Sequence, residues 1–448
     1  MIDRKELVTR HNPTLRAARP SDSAALAALS ASPLSVGNGE FAFTADFTGL
    51  QTLRDVYRPV PLCTMAQWGW HSFPVPLDES ALRLKPYDTY GRSVGYASDP
   101  TGQQELFDQL RQNPHRLHLG AVGFAFYKDG HVDTRVAPED YTDTEQTLEL
   151  WNGVLRSGFR VNGRYVGVET LVDAESDTLA VRVALDESWN LASGDARIEI
   201  DFPYGSPDKP AADWVAKDRH RTEIDSDREG VVHINRKLDN DSYRVALRFA
   251  GAGFRRTEAH TLELVLRERV SWLTASFGLS PSGCPAPVWE EAAGRTSDWW
   301  QAFWSRGGAL RLRDSIDPRA FELERRVVLS QYLTAIQCAG SMPPAETGLT
   351  CNSWYGKFHL EMHPWHAAHF PLWGRPDLLE RSMGWYLRTL PVARRIAASQ
   401  GYRGARWPKM TDPSGRNAPS AIAVLLAWQQ PHPILFAELL YQSAPTRE

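Results

Sequence analysis

Long apolar runs are missing from this sequence of 448 residues. No stretch approaches the roughly 18 residues that a membrane-spanning helix needs, and the opening MIDRKELVTRHNP carries charges where a secretory signal has its apolar segment. We therefore expect neither a membrane protein nor a secretory leader, and the pattern predicts a cytoplasmic protein. Since one domain usually has roughly 100–200 residues, two or three folded units are expected.

Cysteine is scarce as well, with four residues in the whole chain. They are scattered, without the close CxxC spacing of zinc sites or the density of disulfide-stapled domains. We expect reduced and mostly buried thiols at Cys63, Cys284, Cys338 and Cys351.

A surplus of charge is also missing, because 50 Lys and Arg residues face 54 Asp and Glu residues, for a net charge of −4. Without a basic excess, nucleic acid is not an expected partner. The sequence has no glycine-rich phosphate loop, no G-x-S-x-G elbow and no dinucleotide fingerprint, so those enzyme classes and their cofactors are not indicated. The oligomeric state leaves no signal in the sequence.

Tryptophan, in contrast, is abundant, with 16 residues. Indole rings are large, rigid apolar faces that pack cores, and they also stack on the flat C–H faces of sugar rings. For any single tryptophan, core packing explains its presence as well as ligand binding does. The excess favours a carbohydrate partner without establishing one.

From about residue 36 to residue 278, apolar and polar residues alternate with the period of two that is typical of strands, as in TLAVRVAL and HTLELVLRE. Asn162-Gly163 and Asp129-Gly130 lie between such stretches and predict tight hairpin turns. Many strands with short turns, and no helical periodicity between them, predict a large antiparallel β-sandwich.

Helical patterns follow the strands. Residues 279–316 are rich in proline and glycine but include SDWWQAFWSRGG, which predicts a linker with a short helix. Five further helices are predicted: one after Asp317-Pro318, one from near Pro364, one over Pro376–Ser399 closed by Gly401, one over roughly Ser420–Gln430, and one in ILFAELLYQ.

The densest group of polar and aromatic residues lies at 351–375. Pro364 favours a helix start, so KFHLEMH before it should be extended, and a period of two would send His359, Glu361 and His363 to one side. Three explanations stay open. The trio could form a sugar site in which Glu361 contacts hydroxyls or polarises a water, a metal site, or a buried polar group satisfied by nearby backbone.

A second candidate cluster is GYRGARWPKM, in a loop of about 18 residues that is longer than helix connections usually are. Arg403, Arg406 and Lys409 could bind a substrate or an anion, and Trp407 could form a stacking wall. The alternative is a solvated basic loop docked on a neighbouring domain. Polar residues also gather between Trp428 and His432, at a helix end that proline interrupts.

The stretches NSWYGKFHLEMHPWHAAHF and GYRGARWPKM together resemble the first hairpins of an (α/α)6 six-hairpin glycosidase. They are similar to family 65 maltose and kojibiose phosphorylases and to family 95 α-L-fucosidases. The resemblance implies a multidomain β + α protein. It would have an N-terminal antiparallel β-super-sandwich over residues 1–278, a helical linker over 279–316, and the first part of an (α/α)6 barrel over 317–448.

The barrel is expected to be incomplete. Twelve helices need on the order of 250–300 residues, more than residues 317–448 provide. Pro445 should stop one helix and Thr446 should cap another, so the chain is expected to be either a fragment or an unusual truncated form.

The same resemblance implies which residues line a sugar pocket. Trp354 and the run from Phe358 to His363, which includes His359, match the pocket-lining region, and Arg406 and Trp407 match the loop that closes it. Glu361 is the one candidate catalytic carboxylate, because the general acid of these families comes from a later hairpin, beyond Glu448.

The implied activity is that of an inverting glycoside hydrolase acting on an oligosaccharide or glycoconjugate, with no cofactor or metal. One carboxylic acid protonates the leaving oxygen and water attacks the opposite face, which needs two carboxyl groups roughly 6.5–9.5 Å apart. With one candidate present, the 448-residue chain itself is expected to be inactive. The alternatives are a phosphorylase of the same architecture and a non-catalytic carbohydrate-binding protein.

Overall fold

The computed structural model describes residues 2–128, 131–228 and 230–445. Up to Gly278 the described chain is mainly antiparallel sheet, and after Gly278 it is mainly helix. The predicted combination of a large antiparallel β part and a helical part is confirmed. The division into domains at residues 278 and 316 stays a prediction, as does the barrel.

Most strands belong to three sheets. The largest has nine strands in the spatial order Thr14–Ala17, Tyr141–Glu149, Val154–Val161, Arg164–Val172, Thr178–Leu185, Val270–Gly278, Asp241–Ala250, Val231–Leu238 and His220–Arg228. The second has five, in the order His131–Arg135, Ala121–Lys128, Ala196–Asp201, Thr261–Leu266 and Ala252–Arg256. The third contains Leu34–Gly37, Phe41–Ala45 and Thr64–Ala66. Three two-stranded pairs join Trp70–His71 to His115–Arg116, Lys85–Asp88 to Ser93–Tyr96, and Phe358–His359 to Met410–Thr411.

The two large sheets face each other through an aromatic core. Phe126 of the five-stranded sheet lies 6.4 Å from Tyr141 and 6.1 Å from Phe159 of the nine-stranded sheet, measured between ring centroids. The strand Val231–Leu238 buries every second residue, as the period of two predicts. Alternation along the strands therefore places one face of each sheet in the shared core.

Of the two predicted hairpin turns, the one at Asn162-Gly163 lies within the described residues. Val161 pairs with Arg164 across Asn162 and Gly163, whose φ angles of 49° and 78° are those of a type I′ turn. That prediction is confirmed. Asp129 and Gly130 lie outside the described residues, although the strands on either side of them pair antiparallel.

Nine α-helices are present in the described ranges. They are α1 Arg4–Thr9, α2 Ser23–Ala31, α3 Gln104–Gln112, α4 Trp289–Ser305, α5 Ala320–Gln337, α6 His363–Ala367, α7 His369–Leu372, α8 Pro376–Ser399 and α9 His432–Ser443. The helices α5, α8 and α9 appear where the sequence predicts them. At the end of α8, Gly401 has a φ of 72° and the Tyr402 amide donates to the Ala397 carbonyl at 2.9 Å, which is how a left-handed glycine closes a helix.

The predicted helix over Ser420–Gln430 is wrong. A single 3-10 turn, Ala423–Leu425, forms there instead. The carbonyls of Val424 and Leu426 accept from the guanidinium of Arg406, and Gln430 pairs with the backbone of Trp407. These side-chain partners take the place of the i→i−4 bonds of a helix, so local apolar periodicity misled the prediction.

The helices pack directly on the sheets. In α4, Thr296 donates to the Val172 carbonyl at 3.0 Å, and in α5 the Tyr332 hydroxyl donates to the Ser35 carbonyl at 3.1 Å. Gly37 permits this approach, because a Cβ at that position would lie 2.6 Å from the Ile336 carbonyl oxygen. The SPLSVGNGEFA segment thus joins the β part to the end of α5.

Within the described ranges, no helix combines the length and the apolar character needed to cross a bilayer. The four cysteines are free thiols. Three of them are buried and Cys351 is partly buried.

Candidate functional site

The two motif clusters predicted from the sequence meet in space. Phe358–His359 pairs antiparallel with Met410–Thr411, and we call this pair the bridging ladder. One step beyond it, the Leu360 amide donates to the Lys409 carbonyl at 2.9 Å. The segment leading into Glu361 and the loop of residues 401–410 are therefore in direct contact.

An ion pair marks the end of the bridging ladder. The Lys409 ammonium lies 2.6 Å from a carboxylate oxygen of Glu361, and the two side chains are 14% and 15% exposed. Partial exposure leaves both groups within reach of a ligand while shielding their charges from most solvent. A carboxylate and an ammonium held together offer acceptors and donors side by side, which is the pattern that adjacent hydroxyl groups can match.

Shortly before the bridging ladder, the backbone has an unusual conformation. Trp354, Tyr355 and Gly356 have φ angles of 48°, 64° and 67°, so two non-glycine residues in succession occupy the left-handed region. Such strain persists only where surrounding structure imposes it, and it concentrates at functional sites. Here it leaves the Trp354 indole 49% exposed, with its ring 6.3 Å from the His359 ring between centroids.

His359 is the neighbour of this indole in the ladder. Its Nδ1 is 3.0 Å from the Lys357 carbonyl oxygen, and its Nε2 is 3.4 Å from a carboxylate oxygen of Glu346. Burial, reinforced by the positive charge of Lys409, lowers the pKa of His359 to about 3. The imidazole is therefore neutral at pH 7.

His363 does not join these residues, contrary to the sequence prediction. The chain turns after His359, and His363 begins α6 instead of extending the strand. Its Nδ1 lies 3.0 Å from the Tyr386 hydroxyl and its Nε2 lies 3.2 Å from the Ser382 hydroxyl, so both ring nitrogens have internal partners. Burial lowers the pKa of His363 to about 3. His363 is a packing residue of the helical part.

The metal hypothesis for the trio is not supported. In the portions of the chain that the structure describes, no group of three or more His, Cys, Asp or Glu side chains could hold a metal ion. The turn that separates His363 from His359 is the physical reason.

Arg406 and Trp407 are bound inside the protein instead of reaching toward Glu361. The Arg406 guanidinium donates to the Val424 carbonyl at 2.7 Å and contacts Gln400. The Trp407 indole donates to the Thr389 hydroxyl at 3.1 Å. It faces a cavity of about 640 Å³ between α8 and α9, whose other apolar walls include Tyr386, Leu387, Leu440 and Tyr441.

A second half-exposed indole lies near the ladder. His432, at the start of α9, has its Nδ1 3.0 Å from the Leu360 carbonyl oxygen. The Trp428 ring, 48% exposed, packs edge-on against His432 at 5.7 Å between centroids. Trp354 and Trp428 thus each lie next to a histidine that is hydrogen-bonded to the segment leading into Glu361.

Sequence analysis missed two residues of this site, Glu346 and Arg111. Glu346 lies in the unremarkable stretch PPAETGL, and Arg111 lies at the end of α3, far away in the β part of the chain. The Arg111 guanidinium carbon lies 5.7 Å from the Trp354 ring centroid and 5.9 Å from that of Tyr355. No local pattern marks either residue, because both contacts arise from tertiary packing.

No protein-family model matches the sequence, and no curated protein matches it. Among solved structures, the chain is similar to a protein titled "Putative kojibiose phosphorylase from human microbiome", with a TM-score of 0.58 and 10% identity over 91% of this chain and 54% of that one. It is also similar to a bacterial glucoamylase solved with acarbose, with a TM-score of 0.49 and 10% identity over 92% of this chain and 56% of that one. A family GH92 α-mannosidase from Bacteroides thetaiotaomicron gives a TM-score of 0.24 and 10% identity over 67% of this chain and 43% of that one.

The chain shares its fold with the first of these structures, which agrees with the resemblance predicted from the sequence as far as the fold is concerned. The chain spans about half the length of the first two structures.

Proposed function

We propose that this chain is part of a carbohydrate-active enzyme whose sugar site is centred on the Glu361–Lys409 ion pair. The observation that carries the proposal is this partly exposed pair, formed where two separate sequence motifs meet at the bridging ladder. The fold shared with a structure titled as a kojibiose phosphorylase supports a carbohydrate substrate.

The surroundings of the pair suit a sugar better than a compact anion. A hexose ring is amphipathic, with flat C–H faces and a rim of hydroxyl groups. The half-exposed indoles of Trp354 and Trp428 offer apolar faces, while Glu361 and Lys409 offer a charged acceptor and donor. A compact anion would be attracted by Lys409 but repelled by Glu361, and the Glu361 carboxylate already neutralises the charge of Lys409.

Glu361 is better suited to holding hydroxyl groups than to acting alone as catalyst. At 2.6 Å from the Lys409 ammonium, the Glu361 carboxylate already has a charged partner, and inversion needs a second carboxyl group opposite it. We therefore assign Glu361 the role of a substrate-binding carboxylate. Inversion by an acid and a base roughly 6.5–9.5 Å apart remains our proposal for the enzyme as a whole, acting on an oligosaccharide or glycoconjugate.

Two alternatives share the same site. A phosphorylase would replace the attacking water with inorganic phosphate, and phosphate-dependent release of a sugar 1-phosphate would identify it. A non-catalytic binding protein would keep sugar affinity without any turnover.

The binding proposal is tested by calorimetry of the 448-residue chain with glucose, maltose, kojibiose, mannose, galactose and fucose. We expect at least one sugar to bind, and Glu361→Gln and Lys409→Met each to weaken that binding about tenfold or more. The reason is that a hydrogen bond to a charged group contributes roughly 1.5–3 kcal/mol.

The matched control is Glu258→Gln, which breaks the Lys217–Glu258 ion pair on the surface of the β part. This variant should bind the sugar like the wild type. The proposal is wrong if none of the six sugars binds, or if both site variants keep wild-type affinity.

A further inference from the structure

Hydrogen bonding fixes the tautomer of His359. The Lys357 carbonyl oxygen, 3.0 Å from Nδ1, can only accept a hydrogen bond, so Nδ1 must carry the proton. The neutral ring has one proton, and Nε2 is consequently left with a lone pair. Burial and the charge of Lys409 lower the pKa of His359 and keep the ring neutral.

The lone pair of Nε2 has no donor within the described parts of the chain. Nε2 is buried without a hydrogen-bond partner there, and the whole residue is 1% exposed. The nearby polar atom is a carboxylate oxygen of Glu346 at 3.4 Å, which is itself an acceptor. Two acceptors therefore face each other with no proton between them, an arrangement that a hydroxyl donor would relieve.

Glu346 can admit such a donor. Its side chain is 33% exposed, so it can turn toward solvent and open the approach to Nε2 without disturbing the core. The Trp354 ring lies 6.3 Å from the same imidazole between centroids, and Lys409 of the ion pair is near enough for its charge to lower the pKa of His359. The acceptor pair is therefore continuous with the sugar site proposed above.

We propose that His359 Nε2 and the Glu346 carboxylate form a double-acceptor subsite that takes a hydroxyl donated by the bound sugar. This inference rests on the proposed function and makes His359 and Glu346 specificity-determining residues. The ligand class is a polyol or sugar with a free hydroxyl at this position. A fluoro or O-methyl group there can accept a hydrogen bond but cannot donate one, so such analogues are excluded.

The decisive variant is Glu346→Gln. The amide nitrogen of the substituted side chain can donate to His359 Nε2, which satisfies the lone pair internally and competes with the sugar. We expect the melting temperature to rise and the affinity for the sugar found by calorimetry to fall about tenfold. On the wild type, one member of a series of singly deoxyfluorinated analogues of that sugar should lose a similar factor, and this loss should disappear in the variant.

A control variant and a measurement of the His359 tautomer complete the test. Glu380→Gln, on α8 beside the 640 Å³ cavity, should change neither quantity. In the wild type, ¹⁵N spectra of the imidazole rings should show the His359 proton on Nδ1. A proton on Nε2, or unchanged melting temperature and affinity in Glu346→Gln, would overturn the subsite while leaving sugar binding intact. If no sugar binds the wild type, the proposed function fails and the subsite fails with it.

Discussion

The bridging ladder has a lysine–carboxylate pair at each end, and the two pairs differ in their surroundings. At one end, the Lys357 ammonium lies 3.2 Å from Asp412, and these side chains are 0% and 1% exposed. At the other end, Glu361 and Lys409 are 15% and 14% exposed. The same two functional groups are thus sealed inside the protein in one case and open to a ligand in the other.

The buried pair holds the ladder against the β part of the chain. Lys357 also donates to the Asn113 carbonyl at 3.1 Å, just after α3, and Arg416 contacts both Asp412 and Asn113. Because these groups are engaged with one another and shielded from solvent, the pair has no capacity left for a ligand. Exposure, and not the type of residue, therefore separates a structural ion pair from a candidate binding pair.

The largest effect is expected on breaking the buried pair. Asp412→Asn keeps the shape and the acceptor for the Ser414 amide but leaves the Lys357 ammonium buried without its counter-charge. We expect the free energy of unfolding to fall by about 3 kcal/mol, as is usual when one partner of a buried pair is removed. Urea denaturation at pH 7 measures it.

The control for that experiment is Asp377→Asn, which breaks the exposed Arg306–Asp377 pair, whose side chains are 47% and 46% exposed. It should change the unfolding free energy by less than about 1 kcal/mol. Equal effects of the two substitutions would contradict the structural role assigned to the buried pair.

Low pH should remove the stabilisation of the folded protein that the ionised Asp412 carboxylate provides. Burial opposes its ionisation, but the charges of Lys357 and Arg416 outweigh burial and hold the pKa of Asp412 below its ordinary 3.8. A carboxyl group with a lowered folded-state pKa stabilises the protein above its unfolded-state pKa, and this stability is lost as the pH falls through the folded-state value. The stability difference between wild type and Asp412→Asn should be constant from about pH 7 to pH 5. It should shrink below pH 3.8. A difference that stays constant down to about pH 2 would contradict this.

The sequence indicated the Glu361–Lys409 end of the ladder but not the Lys357–Asp412 end. It singled out Glu361 and Lys409 because polar and aromatic residues crowd both motifs, and it placed α8 at Pro376–Ser399, where proline and glycine mark the ends. It did not identify Lys357 and Asp412 as partners. They are separated by 55 residues, and only the register of the ladder brings them together.

Two predictions failed because a local pattern was extended to residues that do not follow it. The apolar run over Ser420–Gln430 has helical periodicity, but Arg406 and Gln430 satisfy its backbone and that of the neighbouring loop by long-range hydrogen bonds. His363 was expected beside Glu361 because a period of two was extended past the end of a two-residue strand. Local patterns predicted the helices and strands whose backbone hydrogen bonds are made within the element. They failed in the 420–430 segment, where side chains distant in sequence bind the backbone carbonyls.

Breaking the Glu361–Lys409 pair should lower the free energy of unfolding much less than breaking the buried Lys357–Asp412 pair. Glu361→Gln should lower the unfolding free energy by about 0.5–1 kcal/mol, since water can replace part of the lost interaction at these partly exposed groups. The same urea titration at pH 7 measures the effect. A loss as large as that of Asp412→Asn would mean that the Glu361–Lys409 pair is itself structural, and the sugar site would lose its main support.

The smallest effect is the response of the two pairs to salt. Raising NaCl from about 0.1 M to about 1 M shortens the Debye length from roughly 10 Å to 3 Å, which screens exposed charges and leaves buried ones almost untouched. The destabilisation by Glu361→Gln should therefore shrink by a few tenths of a kcal/mol, while that by Asp412→Asn should stay the same within error. Salt sensitivity in the buried variant, or its absence in the open one, would show that exposure does not distinguish the two pairs in solution.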